Sequence, residues 1–330
     1  MNESSSKFVD NLALERLLSD KISKVSHSPE KSQFVPEENL FERLENEILD
    51  FSAVQWQEND HSRWFEIQSF EKTPYYPENN MVYLYDHPAP AAVGNILLLH
   101  GLFDDNMFNY AFLIRLLNEM NFNVFFMIHP YHFQRKPAAS MFSGEFFFSA
   151  DIYRTQNALK QAIYDVEACL QWINHHNTLP TLLAGFSLGG TVSFRYYLLK
   201  NQAIGTFLIN PVTDLSRVIW DNPLLVNVSR DLQNSGFDPE RSMAIFKELD
   251  PCKNLPRWGN LPNLAMIYSK YDQIIEEHKN RLFIERTGLQ NVSGYHAGHL
   301  NILRVPKLAV DIRHFFEKQN SLNKFIEVEP

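Results

Sequence analysis

Cysteine is nearly missing from this chain: only Cys169 and Cys252 occur among 330 residues. So few thiols suggest neither a disulfide framework nor a cysteine-rich zinc site, and a reducing cytoplasm is the expected compartment. Concentrated positive charge is missing as well. The formal net charge is −9 with no dense Lys/Arg stripe, which argues against a nucleic-acid surface. No apolar run approaches the length needed to span a bilayer, so no transmembrane segment is expected. Met1 to Asp10 is polar and lacks the apolar centre of a signal peptide, so no secretory leader is expected. With hydrophobic residues at 45%, the chain can bury a large core, as one big α/β domain or two smaller ones. The 26 phenylalanines suit an apolar pocket as well as a core.

The order of patterns narrows the fold. Residues 1–7 read as a tail, and Phe8, Leu12, Leu17 and Leu18 suggest a short amphipathic helix before a polar linker, Lys21 to Pro36. Leu40, Phe41, Leu44, Ile48, Phe51 and Val54 recur at helical spacing, which predicts a second helix over 37–56 packed on the core. Trp64 to Phe70 and Met81 to Tyr85 alternate like a hairpin. Strands are then expected at Asn95–Leu99, Asn123–Ile128, Thr181–Ala184, Gly205–Ile209, Asn263–Tyr268 and Leu289–Gly294. Helices are expected at Phe108–Met120, Asp151–Asn174, near Ile275–Arg286, and from Pro306 to about Lys318. Strands alternating with helices predict an α/β fold: a mainly parallel sheet of about eight strands, covered on both faces, with ligands at the carboxyl ends of the strands.

One stretch carries chemistry. Thr181-Leu182-Leu183-Ala184 is followed by Gly185-Phe186-Ser187-Leu188-Gly189-Gly190, and then by a helix-length run. A serine on a sharp strand-to-helix turn stands exposed beside a helix amino end, and the residues flanking it must be small. Serine is a poor nucleophile without a base, which an acid must orient. Asp272 follows the strand Asn263–Tyr268 and His299 follows Leu289–Gly294, each at a strand mouth. Asp214, after the preceding strand, is the alternative acid, and His296 the alternative base.

Ser, Asp and His in this order resemble the α/β-hydrolase superfamily of serine hydrolases. The resemblance implies an α/β-hydrolase domain over 58–320 with a small cap insertion at about 213–262, a tail and helical extension over 1–57, and a tail at 321–330. It implies Ser187 as nucleophile, His299 as general base and then acid, and Asp272 as the orienting acid. His100-Gly101-Leu102 follows its strand like the family's His-Gly-x segment, which implies that the N–H groups of Leu102 and Leu188 hold the oxyanion. The HGGG form is absent. Ser269 stands where family members often place a glycine, three residues before the acid, and this keeps Asp214 in view. His100, His132, Phe103 and Phe186 are candidate pocket residues. His129 and His132 lack the companion ligands of a metal pair, so no metal is expected. The aromatic run Phe142–Phe148 is core, lid or acyl-pocket wall, and Asp238-Pro239-Glu240 starts a helix within a cap spanning Trp220 to Trp258. The implied activity is hydrolysis of a small carboxylic ester or thioester, with a hydrophobic acyl group favoured and no cofactor. Acyltransferase or peptidase chemistry on the same triad, or a non-catalytic binding protein of this fold, are the alternatives. Oligomeric state is not legible.

Overall fold

Strands that leave no polar face must sit between two layers of helix, and here they do. The computed structural model describes residues 2–60, 62–253, 255 and 261–326. Strands β1 (Gln55–Glu58), β2 (Arg63–Gln68) and β3 (Met81–His87) form an antiparallel edge, and β3 joins β5 (Phe122–Met127) antiparallel. From there the sheet is parallel through β4 (Gly94–Leu99), β6 (Thr181–Phe186), β7 (Gly205–Ile209), β8 (Leu264–Ser269) and β9 (Val292–Tyr295). The order is β1-β2-β3-β5-β4-β6-β7-β8-β9, nine strands.

Every residue of β4, β6 and β7 is buried, as a doubly covered parallel sheet requires. Alternation along the strands divides the core. Leu97, Leu99 and Leu183 face one layer, and Ile96, Leu98, Leu182 and Ala184 face the other. The first layer holds α3 (Ile152–His176) and α4 (Leu188–Leu199), and the second holds α2 (Ala111–Glu119) and α9 (Pro306–Ile326). Fully buried Arg135 donates to the Ile128 and Asn79 carbonyls and to Asp165 on α3, each at 2.8 Å. That pair fixes the loop after β5 to the helix layer.

The amino-terminal region differs most from expectation. Helix α1 (Glu3–Asp20) begins inside the predicted tail, because the Asn2 side chain caps it by accepting the Ser5 N–H at 2.8 Å. The helix predicted over 37–56 does not form. Leu40 and Leu44 are buried, but between short 3₁₀ turns at Leu44–Asn46 and Phe51–Ala53 the chain lies along α3. Side chains of α3 satisfy its backbone instead: Gln171 accepts the Leu49 N–H at 2.8 Å, and Tyr164 donates to the Leu40 carbonyl at 3.1 Å. Strand β1 then crosses the boundary placed at residue 57, which is why the sheet has nine strands rather than about eight. At the other end α9 runs to Ile326, beyond the boundary placed at 320, and 327–330 lie outside the described residues.

Between β7 and β8, where a cap is expected, the chain carries α5 (Leu215–Asp221), α6 (Val226–Asn234) and α7 (Pro239–Ile245), the last capped by Asp238 as its sequence suggests. Residues 254 and 256–260 of this insertion, Trp258 included, lie outside the described residues. Helix α8 (Glu277–Thr287) leads into β9. Among the described residues no helix is long and apolar enough to cross a membrane.

Candidate active site

The turn from β6 to α4 is set by contact distances. A Cβ on Gly185 would stand 2.2 Å from the Gly189 carbonyl oxygen, and one on Gly189 would stand 2.5 Å from that of Leu99. No side chain fits at either position, so strand and helix cross at backbone separation. Ser187, between them, takes φ 53° and ψ −115°, a backbone strain of about 1–3 kcal/mol. Its N–H donates to the Ile209 carbonyl at 2.8 Å, which pins the turn to β7.

Strands β8 and β9 deliver the partners to the same rim. His299 Nε2 lies 3.0 Å from Ser187 Oγ, and its Nδ1 lies 2.7 Å from Asp272 Oδ2. The other Asp272 oxygen accepts the N–H groups of Ile274 at 2.8 Å and Ile275 at 2.7 Å, which fixes the carboxylate plane. Burial pushes the His299 imidazole down, but the charge and hydrogen bond of Asp272, with Asp10 and Asp104, outweigh it and hold its pKa above the ordinary 6.5.

The alternatives lie elsewhere. Asp214 caps α5, accepting the Arg217 N–H at 3.3 Å. His296 is exposed and meets Tyr271 Oη at 2.7 Å and Lys270 Nζ at 3.3 Å.

The loop after β4 is fixed by side chains. Gly101 N–H donates to Tyr110 Oη at 2.8 Å and to Asp104 at 3.0 Å, and Phe103 N–H donates to His132 Nε2 at 3.2 Å. His100 bonds the Gly101 carbonyl through Nδ1 at 2.7 Å and accepts the His129 N–H at 3.1 Å through Nε2. Burial keeps these rings neutral, His132 being pushed down to about 3. Burial likewise raises the Asp104 carboxyl to about 6, against the hydrogen bonds from Tyr110 and Gly101. Among the described residues, the N–H groups of Leu102 and Leu188 donate to no protein acceptor. Both belong to residues that line the cleft at Ser187.

That cleft is narrow and apolar, walled by Leu102, Phe148, Leu188, Leu215, Leu224 and Ile275. None of the four expected pocket residues borders it. His100 and His132 are buried beneath the loop they brace, and Phe186 packs on the His299 ring at 5.0 Å. Phe103, with φ 66°, turns toward a neighbouring cavity under Ile22 and Val25. Of the aromatic run, Phe148 forms cleft wall while Phe147 is fully buried core. Among the described residues no cluster of three His, Cys, Asp or Glu suits a metal ion.

Three further residues shape the site without a sequence pattern that marks them for it. Asn210 Nδ2 donates to Ser269 Oγ at 3.0 Å and to the His299 carbonyl at 3.2 Å, and Ser269 Oγ donates to the Gly298 carbonyl at 2.9 Å. The hydroxyl that breaks the family pattern thus holds the histidine loop. Asp10, from α1, is the third: its carboxylate accepts the N–H groups of His299 at 2.6 Å and Leu300 at 3.1 Å.

No protein-family model and no curated protein sequence matches the chain. Solved structures do. An acetyl xylan esterase from Paenibacillus sp. R4 superposes with TM-score 0.63 at 12% identity, over 91% of this chain and 99% of that one. Acetyl xylan esterase 1 from Thermoanaerobacterium sp. JW/SL YS485 gives TM-score 0.56 at 13% identity, over 85% and 93%. Acylaminoacyl peptidase from Pyrococcus horikoshii gives TM-score 0.54 at 12% identity, over 84% of this chain but 42% of that longer one. Likeness of this extent shows the fold: the chain has the α/β-hydrolase fold.

Proposed function

We propose that this protein, an α/β-hydrolase by fold, is a serine hydrolase that cleaves a carboxylic ester or thioester through an acyl-enzyme. The observation that carries this reading is the relay from Asp272 through His299 to Ser187, at 2.7 and 3.0 Å. Ser187 Oγ attacks the carbonyl carbon while its proton passes to His299 Nε2. The imidazolium so formed is held by Asp272, and the oxyanion accepts from the N–H groups of Leu102 and Leu188. Fixed backbone donors of this kind are worth about 3 kcal/mol each at the transition state. His299 then protonates the leaving oxygen or sulfur, which departs as alcohol or thiol. Water, losing a proton to the same ring, attacks the acyl-enzyme and releases the acid and the serine. The apolar cleft favours a hydrophobic acyl group of modest width. A hydroxyl or amine in place of water would turn the same steps into acyl transfer.

A panel of p-nitrophenyl esters of increasing acyl length tests the proposal. Ser187→Ala is expected to lower kcat by about 10⁴-fold or more, and a fluorophosphonate to label Ser187 in the folded protein. Because His299 must be neutral to accept a proton and its pKa is raised, kcat/KM is expected to fall with acid, with a midpoint above 6.5. Full activity in Ser187→Ala would sink the reading.

A further inference from the structure

Helix α1 does more than cover the domain. Asp10 lies at its middle, fully buried, although nothing in the helix itself calls for a buried acid. One carboxylate oxygen accepts the His299 N–H at 2.6 Å and the Gln273 N–H at 3.3 Å, and the other accepts the Leu300 N–H at 3.1 Å. Gln273 directly follows Asp272, so a single side chain ties the acid's loop to the base's loop. The fit is close: a Cβ on Gly298 would stand 2.6 Å from Asp10 Oδ2 and 2.9 Å from the Ser6 carbonyl oxygen. Gly298 therefore serves the docking of α1 as well as the turn before His299. Asn301, which accepts the Gly298 N–H at 2.7 Å, also reaches Ser6 Oγ at 3.3 Å.

We propose that Asp10 is a positioning residue for His299, and that α1 is thereby a working part of the active site rather than an appended helix. The proposal rests on the serine-hydrolase reading for its kinetic arm, but its geometric content stands on the contacts alone. Three N–H donors on its two oxygens favour the ionised form of the carboxylate. Burial raises the Asp10 carboxyl above the ordinary carboxylate value, while the donors at 299 and 300 favour ionisation. The charged groups that face the imidazole are Asp272, Asp10 and Asp104, all of which raise its pKa. Losing Asp10's charge therefore lowers that pKa, and losing its acceptors frees the backbone that aims the ring.

The test compares Asp10→Asn with Leu14→Ala, which removes packing from the same helix without touching the histidine loop. Asp10→Asn is expected to lower kcat on p-nitrophenyl acetate about tenfold with KM unchanged, and to move the acid limb of kcat/KM to lower pH. The His299 ring titration, followed by NMR in Ser187→Ala and in Ser187→Ala/Asp10→Asn, should move down in parallel. Leu14→Ala is expected to lower the melting temperature and leave kcat of the folded protein and its acid limb in place. Unchanged kcat and ring titration in folded Asp10→Asn, or an equal change in Leu14→Ala, would overturn the proposal. Because the NMR arm needs no turnover, it reads Asp10 even if the chain hydrolyses no ester. Should Asp10→Asn fail to fold, hydrogen exchange in the intact protein decides. The amides of His299 and Leu300 should be protected like those of β9, and exchange at the rate of free loop amides would overturn the proposal.

Discussion

The strained turn at Ser187 is built from neighbours in sequence and needs only backbone contacts from β4 and β7, whereas His299 is held by side chains from distant parts of the chain. The elbow is closed by Gly185 and Gly189 where β6 crosses α4, with the Leu99 backbone against Gly189 and the Ile209 carbonyl accepting the Ser187 N–H. The histidine loop is braced by Asn210 after β7, Ser269 at the end of β8, and Asp10 on α1. A strained φ can be enforced locally, because sterics at short range leave the chain no other path. A loop that follows a four-residue edge strand has no such enforcement, and must borrow hydrogen bonds from whatever packs against it. The two regions meet at one hydrogen bond of 3.0 Å, beside the packing of Phe186 on the His299 ring, and the precision of that bond depends on both.

If the elbow is purely steric, its failure should be abrupt. Gly185→Ala places a methyl 2.2 Å from the Gly189 carbonyl oxygen and 2.5 Å from Ser193 Oγ, where no rotamer change relieves the backbone clash. The expected loss is about 3 kcal/mol of stability or more, with fluorophosphonate labelling of Ser187 abolished. Denaturant unfolding and a labelling time course measure both. The loop should fail by degrees. Ser269→Ala leaves the Gly298 carbonyl without its hydroxyl donor and removes one acceptor from Asn210, a cost of about 1–3 kcal/mol. Its kcat should fall about tenfold with KM unchanged. Combined with Asp10→Asn, the kcat losses should not be additive, since both residues hold one loop. Strict additivity in that double-mutant cycle would show that the two braces act on different things.

The same contrast explains what is legible in the sequence. Gly185 to Gly189 is legible because the residues that form the turn are contiguous and follow a recognisable strand. Asp272 is legible in place because it follows the apolar strand β8, whereas His299 follows a short, half-buried edge strand and is legible from its order after Ser187 and Asp272 and from Gly298 before it. Asp10 is not legible: a polar residue in a polar amino-terminal stretch carries no periodicity that marks it as buried. Ser269 stood out only as a departure from the family's glycine, and its hydroxyl's use depends on Asn210, more than fifty residues away along the chain. The spacing of Leu40, Leu44, Ile48 and Phe51 misleads for a related reason. Those side chains do reach α3, except Ile48, which is exposed, but the backbone between them makes only short 3₁₀ turns and bonds to Gln171 and Tyr164 instead of forming an α-helix. Periodicity reports which face is apolar and not which partner satisfies the backbone.

The smallest effect separates the two histidines of the same loop. His296 and His299 are three residues apart, but the ring at 296 projects to solvent and bonds Tyr271 and Lys270, while the ring at 299 is buried against Phe186. If long-range bracing sets the ring at 299, chemical identity three residues away should count for nothing. His296→Gln keeps a polar partner for Tyr271 and is expected to change stability by less than about 0.5 kcal/mol, with kcat and the acid limb of kcat/KM as in the wild type. A loss of kcat in His296→Gln comparable to that in Ser269→Ala would mean that the loop is aimed from its solvent side as well. The division between a locally built serine turn and a remotely braced histidine loop would then have to include the surface pair of His296 and Tyr271.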